Sequence, residues 1–446
     1  MGKDRAVTGL TRIKAGLLAG LLLAVLATTS CALHPRGERE ERERAHLAYQ
    51  KHEPAALAAD ASIKDILEYA YAANADLEKL YWDWIVALEA IPQEASPGTN
   101  LAISFESMFE EGKTSLRQTT LGVGNDPMGN LPWPGKLTTA GRRALEMARA
   151  AGRRFDGGKL ALRTRVLAAY YDFALLGESI RIKETEVSIL EIASETAGAG
   201  LRTGTASSEE VLRTRTDRDL AANEVETLKS RVSGQVAAIN ALLGRDSYAP
   251  LTLPKDLPAP RDLPYTDAQI LALLAERNPE LAALANEAKG KEEAVKLMRQ
   301  QYIPDLGLTL AGDLDGMAKS IMAMITAPIV RREAIQASIR QAQADLEANR
   351  AMRRQAESDF KAEAVLMLYD MRDAERQVTL LEGSIIPRLE EMVQISRTGY
   401  RAGKTPLSEL LDNERMLLET RLMAAQMRIE REKLLAQIEA LAAFEP

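Results

Sequence analysis

The sequence is written as two copies of one pattern, and this repeat constrains the fold more than any single motif. Gly200-Leu-Arg-Thr-Gly204 recurs as Gly399-Tyr-Arg-Ala-Gly403, about 200 residues further along the chain. Each copy interrupts a long helical pattern. An acidic segment containing leucine then follows, Glu209 to Leu212 in the first copy and Glu409 to Asp412 in the second.

The upstream parts of the two copies also correspond. Ile66-Leu67 followed by Asn74 returns as Ile270-Leu271 followed by Asn278. We therefore predict two copies of one helical hairpin unit. The predicted organisation is a signal peptide over 1–30, an anchor region and charged spacer over 31–62, a first repeat over 63–247, a proline-rich linker over 248–264 and a second repeat over 265–446.

The composition favours long packed helices. Aromatic residues make up only 4% of the chain and apolar residues 46%, with alanine, leucine, glutamate and arginine abundant. The formal net charge of −7 argues against a nucleic-acid partner. The sequence has no nucleophile elbow, no phosphate-binding glycine loop and no cysteine or histidine cluster, so we expect no enzyme activity and no cofactor.

The N-terminus has the pattern of a secretion signal. Basic residues precede the apolar run Ala15 to Ala27, which is too short to span a membrane comfortably, and Cys31 follows. This order resembles a bacterial lipoprotein signal, in which Cys31 would carry a lipid such as palmitate. Thr28 stands where such signals usually have an aliphatic residue, and ordinary signal cleavage beside an incidental thiol is the alternative.

The segment after Cys31 is densely charged. We expect Arg36 to Arg44 to be a solvated spacer. The three histidines, His34, His46 and His52, lie in or near it. No cysteine or acidic ligand pattern accompanies them, so we expect no metal site.

Apolar spacing and turn residues predict the secondary structure of each copy. Continuous helices are expected from Ile63 to about Ile91, stopped by Pro92, and from Asp267 to Tyr302. Short strand pairs follow them, and Pro127 to Gly135 is expected to be non-helical. The remaining predicted helices run from Leu137 to about Ala197, from Pro328 to about Thr398 with a coiled-coil seam (Phe360, Ala364, Met367, Met371, Ala374, Val378, Leu381), and from Leu407 to Ala443. Tyr248 to Pro264 should be an extended strap.

The order of these elements resembles the TolC-like outer-membrane efflux family over nearly the whole mature chain. The resemblance rests on the two Gly-x-Arg-x-Gly turns, on Asn278-Pro-Glu-Leu281, on Asn240-Ala-Leu-Leu-Gly244 and on Ile386-Pro387. Pro132-Trp-Pro-Gly-Lys136 additionally looks like a junction of the heavy-metal-efflux branch.

The resemblance implies a mainly α fold. Duplicated long α-helical hairpins would form part of a trimeric α-barrel, and short β-hairpins would contribute to a membrane β-barrel. The homotrimer would be a passive conduit in the outer membrane, extending into the periplasm and docking a periplasmic adaptor (membrane fusion) protein and an inner-membrane pump. The predicted strands are short for a bilayer, so a lipid on Cys31 would matter more as an anchor.

The family places adaptor contacts at the hairpin tips and carboxylates at the channel mouth. The resemblance therefore implies an adaptor-binding site at the two turns (Gly200, Arg202, Gly204, Ser207, Gly399, Arg401, Gly403, Pro406) and a constriction formed by Glu409 and Asp412. Tight turns without a partner, and carboxylates that only favour the helix N-terminus, are the alternatives. At the level of the whole protein, the alternative is a periplasmic adaptor or a structural coiled-coil lipoprotein. The cargo, metal ion, drug or protein, is left open.

Overall fold

The fold is mainly α-helical. A computed structural model describes residues 33–49, 56–96, 100–110, 113–124, 130–204, 206–312, 319–326 and 331–444. The helices, numbered along the chain, are α1 (Glu38–Ala48), α2 (Ile63–Ala73), α3 (Ala75–Ala95), α4 (Pro134–Thr203), α5 (Ser208–Leu242), α6 (Asp267–Arg277), α7 (Pro279–Gln300), α8 (Arg332–Leu380), a π-helical turn (Leu381–Ile385), α9 (Ile386–Arg401) and α10 (Leu407–Ala442). Among the described residues, none of these helices has both the length and the apolar character that crossing a bilayer requires.

The strands form one antiparallel sheet that joins the two repeats. They are β1 (Asn100–Glu110), β2 (Lys113–Gly124), β3 (Asn130–Leu131), β4 (Asp305–Gly312) and β5 (Lys319–Thr326). β1 pairs with β2, β2 and β3 pair with β4, and β4 pairs with β5.

The first hairpin is longer than the sequence pattern predicts. Its register shifts between Glu106 and Ser107, and Arg117 of β2 is left without a partner in the register. A β-bulge inserts one extra residue into the strand that carries it, so the alternation of β2 changes phase at Arg117 while β1 continues regularly to Glu110.

The chain divides into two compact units. The first contains residues 1–49, 80–154 and 282–355, and the second contains residues 50–79, 155–281 and 356–446. The core of the first unit is built around Trp84, which has 0% of its surface exposed, with Leu88 and Ile91 on the same helix. Gly152 of α4 lies against the Trp84 indole.

The prediction that Arg36 to Arg44 form a solvated spacer is wrong, because most of this segment belongs to helix α1. Glu38 and Glu41 are buried, and three acidic residues stand in the first turn of α1, where the helix dipole favours them. The densely charged segment is therefore a packed helix, and its carboxylates form ion pairs within the first unit. Arg42, for example, bonds Glu38 at 2.9 Å and Glu89 of α3 at 2.6 Å.

Pro92 was expected to stop α3, but the helix continues to Ala95 with the proline inside it. Proline lacks an N–H, so the carbonyl of Leu88 receives no helical hydrogen bond from position 92. The Arg42 guanidinium of α1 donates to this carbonyl at 3.2 Å. An arginine distant in sequence thus satisfies the acceptor that the proline leaves free. The start of α4 at Pro134 likewise shortens the predicted non-helical passage, whose residues 125–129 lie outside the described part.

Replacing Arg42 with alanine is expected to release α1 from α3. The change leaves the Leu88 carbonyl unpaired and removes the bond to Glu89, a cost of about 1–3 kcal/mol. Limited trypsin digestion should cut α1 faster in Arg42→Ala than in Arg39→Ala. The control removes one tryptic site from the same helix but breaks only the exposed pair of Arg39 with Glu43. Equal cleavage rates would mean that Arg42 does not hold the helix.

In the second unit, Asn74 breaks the helix that was predicted to run without interruption from Ile63, so that α2 and α3 are separate helices. Asn74 ends α2, accepts a hydrogen bond from the Leu77 N–H at 3.0 Å and donates to the Leu242 carbonyl at 2.8 Å. One side chain thus starts α3 and satisfies the C-terminal end of α5.

Asn278 does the same in the second repeat. It accepts from the Leu281 N–H at 3.1 Å and donates to the Leu441 carbonyl of α10 at 2.9 Å. The helix predicted from Asp267 to Tyr302 is therefore two helices, α6 and α7. The two asparagines that mark the sequence repeat are the residues that break the helices.

The second unit also contains a cluster of ionised side chains, here called the Arg261 cluster: Arg163 of α4, Arg261, and Glu432 and Glu439 of α10. Arg261 bonds Glu432 at 3.0 Å and Glu439 at 2.8 Å, and Arg163 bonds Glu439 at 2.7 Å. The two glutamates are only 2% and 1% exposed. Arg261 lies in the predicted strap, which has no helix or strand between residues 248 and 264, so the cluster attaches the strap to α10.

The predicted seam of the second long helix is largely confirmed. Ala364, Met371 and Ala374 are buried, and Leu368 packs beside them against Leu435 and its neighbours in α10. The helix is not continuous, however, because the π-helical turn separates α8 from α9.

Candidate functional site at the hairpin turns

The first Gly-x-Arg-x-Gly turn ends α4 in a left-handed residue. Gly204 has φ +77°, which a residue with a Cβ adopts only with strain. Its N–H donates to the Leu201 carbonyl at 3.3 Å. Ser207 then begins α5, since its hydroxyl accepts from the Glu210 N–H at 3.1 Å. Residue 205 lies outside the described part.

The second turn is a complete Schellman motif. Gly403 has φ +67° and donates to the Tyr400 carbonyl at 2.9 Å, while the Lys404 N–H donates to the Gly399 carbonyl at 2.8 Å. Gly399 is required for a different reason, because a Cβ there would lie 2.2 Å from the Thr405 hydroxyl. Pro406 is the N-cap of α10.

These geometries explain the spacing of the motif. The first glycine lies three residues before the helix cap, the arginine lies in the last turn, and the second glycine takes the left-handed position. Arg202 and Arg401 are both exposed, at the end of a helix where a positive charge is favourable. The described geometry thus accounts for the glycines as turn formers and leaves the arginines on the surface.

The structure brings the two turns together on one apolar base. Ala193 and Ala197 before the first turn and Val211 after it pack with Leu407 after the second turn. Tyr400, Leu410 and Leu411 cover the same cluster. The two predicted tips are therefore one contiguous surface of the second unit.

A groove of about 400 Å³ lies beside this base. Its lining includes exposed Ile192 and half-buried Tyr400, together with Arg397 and Arg401. Arg397 bonds Glu414 at 2.6 Å, and Asn413 donates to the Ser396 hydroxyl at 2.7 Å. These bonds fix α9 against α10, so the groove has a rigid wall and an exposed apolar rim.

The two predicted constriction carboxylates lie on one helix but in different surroundings. Glu409 and Asp412 are both exposed, one helical turn apart at the start of α10. Asp412 lines a groove of about 260 Å³ together with Arg213, Asp217 and Arg415, and Glu409 does not line it. Asp412 therefore faces a surface of mixed charge.

Arg213 and Arg415 are further candidates for the site, and the sequence analysis did not predict them. A signal existed: nine residues beyond the second glycine of each motif, the first copy has Arg213 and the second has Asp412. Equivalent positions of the repeat thus carry opposite charges. A hydrogen bond to Glu419 raises the pKa of Arg415, and its charge interactions with Glu186 and Asp217 act in the same direction.

The Pro132 to Lys136 junction is a second structural feature of interest, in the first unit. Lys136 bonds both Asp305 and the Ile303 carbonyl at 2.8 Å, and the Trp133 N–H donates to Asp305 at 3.3 Å. The motif of the first repeat thus holds the start of β4 in the second repeat.

The lipid and metal expectations depend on residues that are only partly described. Cys31 and His52 lie outside the described part of the chain. His34 lies 2.9 Å from Glu38. In the described residues, no group of three or more His, Cys, Asp or Glu side chains is arranged to hold a metal ion.

Known proteins share this fold. The outer-membrane channel OprN superposes with a TM-score of 0.74 at 18% identity, covering 90% of this chain and 95% of that one. CusC has a TM-score of 0.74 at 17% identity, covering 89% and 95%. The MtrE outer-membrane channel of Neisseria gonorrhoeae has a TM-score of 0.71 at 16% identity, covering 93% and 98%. The chain therefore shares the fold of these three solved structures.

Sequence comparison supports the same class. Residues 270–443 match the model of the family described as outer membrane efflux protein. The cobalt-zinc-cadmium resistance protein CzcC of Cupriavidus metallidurans is 23% identical over 299 residues, which is 64% of this chain and 67% of that protein. The predicted resemblance to outer-membrane efflux proteins is confirmed, and the channel interpretation is supported over the adaptor or structural lipoprotein alternative.

Proposed function

We propose that this chain is the outer-membrane channel of a tripartite efflux system. As a passive homotrimeric conduit, it would carry metal ions or small molecules from an inner-membrane pump and a periplasmic adaptor across the outer membrane. The observation that carries the proposal is the pairing of β2 with β4, which unites both repeats in one sheet with β1 and β5 at its edges. A spanning sheet must be closed, and four long strands are too few to close one, so copies of the chain would complete it.

The strand lengths are compatible with this role. β1 and β2 have 11 and 12 residues, and β4 and β5 have 8 each, against the roughly 9–11 that a transmembrane strand needs. We propose that the first hairpin spans the bilayer fully and that the second is marginal. The direct test is planar-bilayer recording: the purified protein should form discrete, long-lived channels, and a protein that never conducts is not a channel.

We propose that Cys31 carries a lipid at the membrane end of the chain. The Leu33 N–H donates to the Ala95 carbonyl at 3.3 Å, and Ala95 ends the helix that leads into β1. A lipid two residues before Leu33 would therefore start close to the strands. Mass spectrometry of membrane-extracted protein should find acyl chains on residue 31 and lose them in Cys31→Ser. An unmodified mature N-terminus would show that Cys31 does not carry a lipid.

We propose that the paired turns bind the adaptor. Their shared apolar base and the exposed arginines Arg202 and Arg401 form one surface, and the adjoining groove is wide enough for side chains of a helical partner. Photo-crosslinking from position 401 in cells should capture an envelope protein of adaptor size. Position 248 is the matched control, because Tyr248 is 91% exposed but distant in sequence from the turns. Equal capture from both positions would mean that the turns only reverse the chain direction and do not bind the adaptor.

The carboxylates near the turns are proposed to narrow the pore. In a trimer, Glu409 and Asp412 would each form a ring of three charges that attract cations and repel one another. Glu409→Ala combined with Asp412→Ala is expected to raise single-channel conductance, whereas Glu419→Ala further along α10 should not. Loss of about 0.3–1 kcal/mol of stability without any change in conductance would instead identify carboxylates that act only on the helix dipole.

The cargo is proposed to include divalent metal ions. The relative named for cobalt, zinc and cadmium resistance and the Pro132 to Lys136 junction support this proposal. A deletion strain should become sensitive to salts of these metals and recover with the intact gene. Sensitivity to organic dyes alone would assign the channel to small-molecule efflux.

A further inference from the structure

In the first unit, the end of the sheet that adjoins the helices exposes large apolar and aromatic side chains. Trp133, just before α4, is 44% exposed, and Tyr302, just after α7, is 41% exposed. Ile325 near the end of β5 is 69% exposed. Leu131 pairs with Leu306, and Leu306 pairs with Ile325. The segments that carry the three exposed side chains therefore leave the sheet at the same end.

The two rings lie on neighbouring segments. A Cβ on Gly135 would lie 3.3 Å from the Trp133 ring and 3.8 Å from the Gln300 amide nitrogen, so Trp133 lies beside the last turn of α7. Tyr302 is in the turn that leaves α7, where its N–H donates to the Arg299 carbonyl at 3.4 Å. In membrane proteins, indole and phenol rings are enriched at the boundary between the hydrocarbon and the lipid headgroups.

Arginines follow these rings on the side away from the sheet. Arg299 lies three residues before Tyr302, and Arg331 and Arg332 lie five and six residues after the end of β5. All three arginines are exposed. Within the part of the chain that the structure describes, none of their side chains has an ion-pair or hydrogen-bond partner.

The positions of Arg331 and Arg332 are unfavourable for the helix that they begin. Arg332 is the first residue of α8, at the end where the helix dipole favours negative charge. Glu333 in the same turn offsets only one of the two charges. By contrast, Lys136, near the start of α4, is held by Asp305 at 2.8 Å. The charges of the two arginines are therefore available to an anion outside the chain.

The surface, here called the sheet-end patch, consists of Trp133, Tyr302, Ile325, Arg299, Arg331 and Arg332. We propose that it binds the headgroups of anionic phospholipids in the leaflet on the helical side of the membrane. From the sheet outward, the order is apolar side chain, aromatic ring and guanidinium group, which matches the hydrocarbon, the interface and the phosphates of one leaflet. A free phosphate ion would need only the arginines. This binding rests on the proposed channel function, because the sheet must lie in a bilayer for the patch to meet lipid.

Native mass spectrometry of the detergent-extracted full chain measures the lipid preference. The wild type should retain phosphatidylglycerol in preference to phosphatidylcholine. Arg331→Gln with Arg332→Gln should weaken phosphatidylglycerol binding roughly thirtyfold, the equivalent of about 2 kcal/mol for two basic residues at an anionic surface. Phosphatidylcholine binding should stay unchanged. Excess inorganic phosphate should not displace the phosphatidylglycerol, and displacement would assign the arginines to a free anion instead of a lipid.

The matched control, Arg353→Gln with Arg388→Gln, removes the same charge elsewhere. Both side chains are exposed, Arg353 lies roughly 30 Å along α8 from its start, and Arg388 belongs to α9. This variant should retain phosphatidylglycerol as the wild type does. Equal losses in the two variants, or equal retention of both lipids by the wild type, would overturn the proposal.

Tryptophan fluorescence in reconstituted vesicles locates the patch independently. In Trp82→Phe, the remaining indoles are Trp133 and the fully buried Trp84. Lipids brominated close to the headgroup should quench the emission, and adding Trp133→Phe should abolish the quenching. Emission without quenching would contradict both the patch and the membrane position of the sheet.

The lipid preference and the channel function can fail separately. Arg331→Gln with Arg332→Gln should still form channels in planar bilayers of phosphatidylcholine, because the arginines are proposed to select the lipid and not to line the pore. Quenching of Trp133 together with conducting channels, but without a preference for phosphatidylglycerol, would overturn the lipid binding and leave the channel intact.

Discussion

Replacing Arg261 with alanine is expected to cost the protein about 3 kcal/mol of stability. The change removes the partner that Glu432 and Glu439 share, and both carboxylates are almost fully buried. Breaking a buried pair from one side typically costs about 3–5 kcal/mol, because the remaining charge stays without compensation. The lower end applies because each carboxylate keeps another arginine, Glu439 its bond to Arg163 and Glu432 its bond to Arg431. The Arg261 side chain is also itself 27% exposed.

Urea denaturation followed by circular dichroism measures this effect. Arg376→Ala is the control, since Arg376 of α8 pairs with Asp373 and both side chains are more than half exposed. Such a surface pair is worth about 0–1 kcal/mol. If the two variants unfold at the same urea concentration, the Arg261 cluster contributes no more than a surface ion pair and does not hold the strap to α10.

Gly152→Ala is expected to destabilise the first unit by about 1–2 kcal/mol. Glycine to alanine within a helix normally stabilises by about 0.5–1 kcal/mol. At Gly152, however, the new Cβ would lie 2.6 Å from the indole of Trp84. The indole is fully buried, so it cannot move aside into solvent. Forcing an extra methyl group into a packed core costs about 1–3 kcal/mol, which outweighs the gain in helix propensity.

A double-mutant cycle makes this prediction specific. Trp84→Phe removes the part of the ring that the methyl group would meet, so Gly152→Ala should cost less in that background than in the wild type. Gly234→Ala should be neutral or stabilising, because its Cβ meets open space. A Gly152→Ala variant as stable as the wild type would show that α4 and α3 can separate without loss.

The long helices could be predicted because their signal is local. α4 and α10 are formed by apolar residues that recur at helical spacing over 70 and 36 residues. The glycines of the two turns mark their ends because left-handed φ values at Gly204 and Gly403 are a requirement of the backbone itself. Both turns therefore lie where the sequence predicts them.

The helix breaks could not be predicted because their causes are distant in sequence. Asn74 interrupts its helix by bonding the Leu242 carbonyl, and Pro92 fails to interrupt one because Arg42 satisfies the Leu88 carbonyl. Neither partner is recognisable until the chain has folded. The mixed charge around Asp412 likewise depends on a contact between the repeats, since Arg213 of the first repeat lines that groove; the only sign of it in the sequence is the opposite charge at equivalent positions of the two copies.

The π turn lies between these cases, because the sequence carries a faint sign of it. The seam of α8 alternates steps of four and three, but Leu381, Ile385, Leu389 and Val393 follow one another at steps of four. Such spacing exceeds the 3.6 residues of a regular turn, so one extra residue must be absorbed. A strict reading of the period would have located the irregularity, and the side-chain packing on both sides explains why the fold tolerates it.

We propose that this chain forms a trimeric outer-membrane channel, and single-particle imaging of detergent-extracted protein tests this most directly. We expect three-fold symmetric particles with a continuous central passage, at least as long as the roughly 105 Å of the 70-residue helix α4. Monodisperse single chains, or symmetric particles without a central passage, would contradict it.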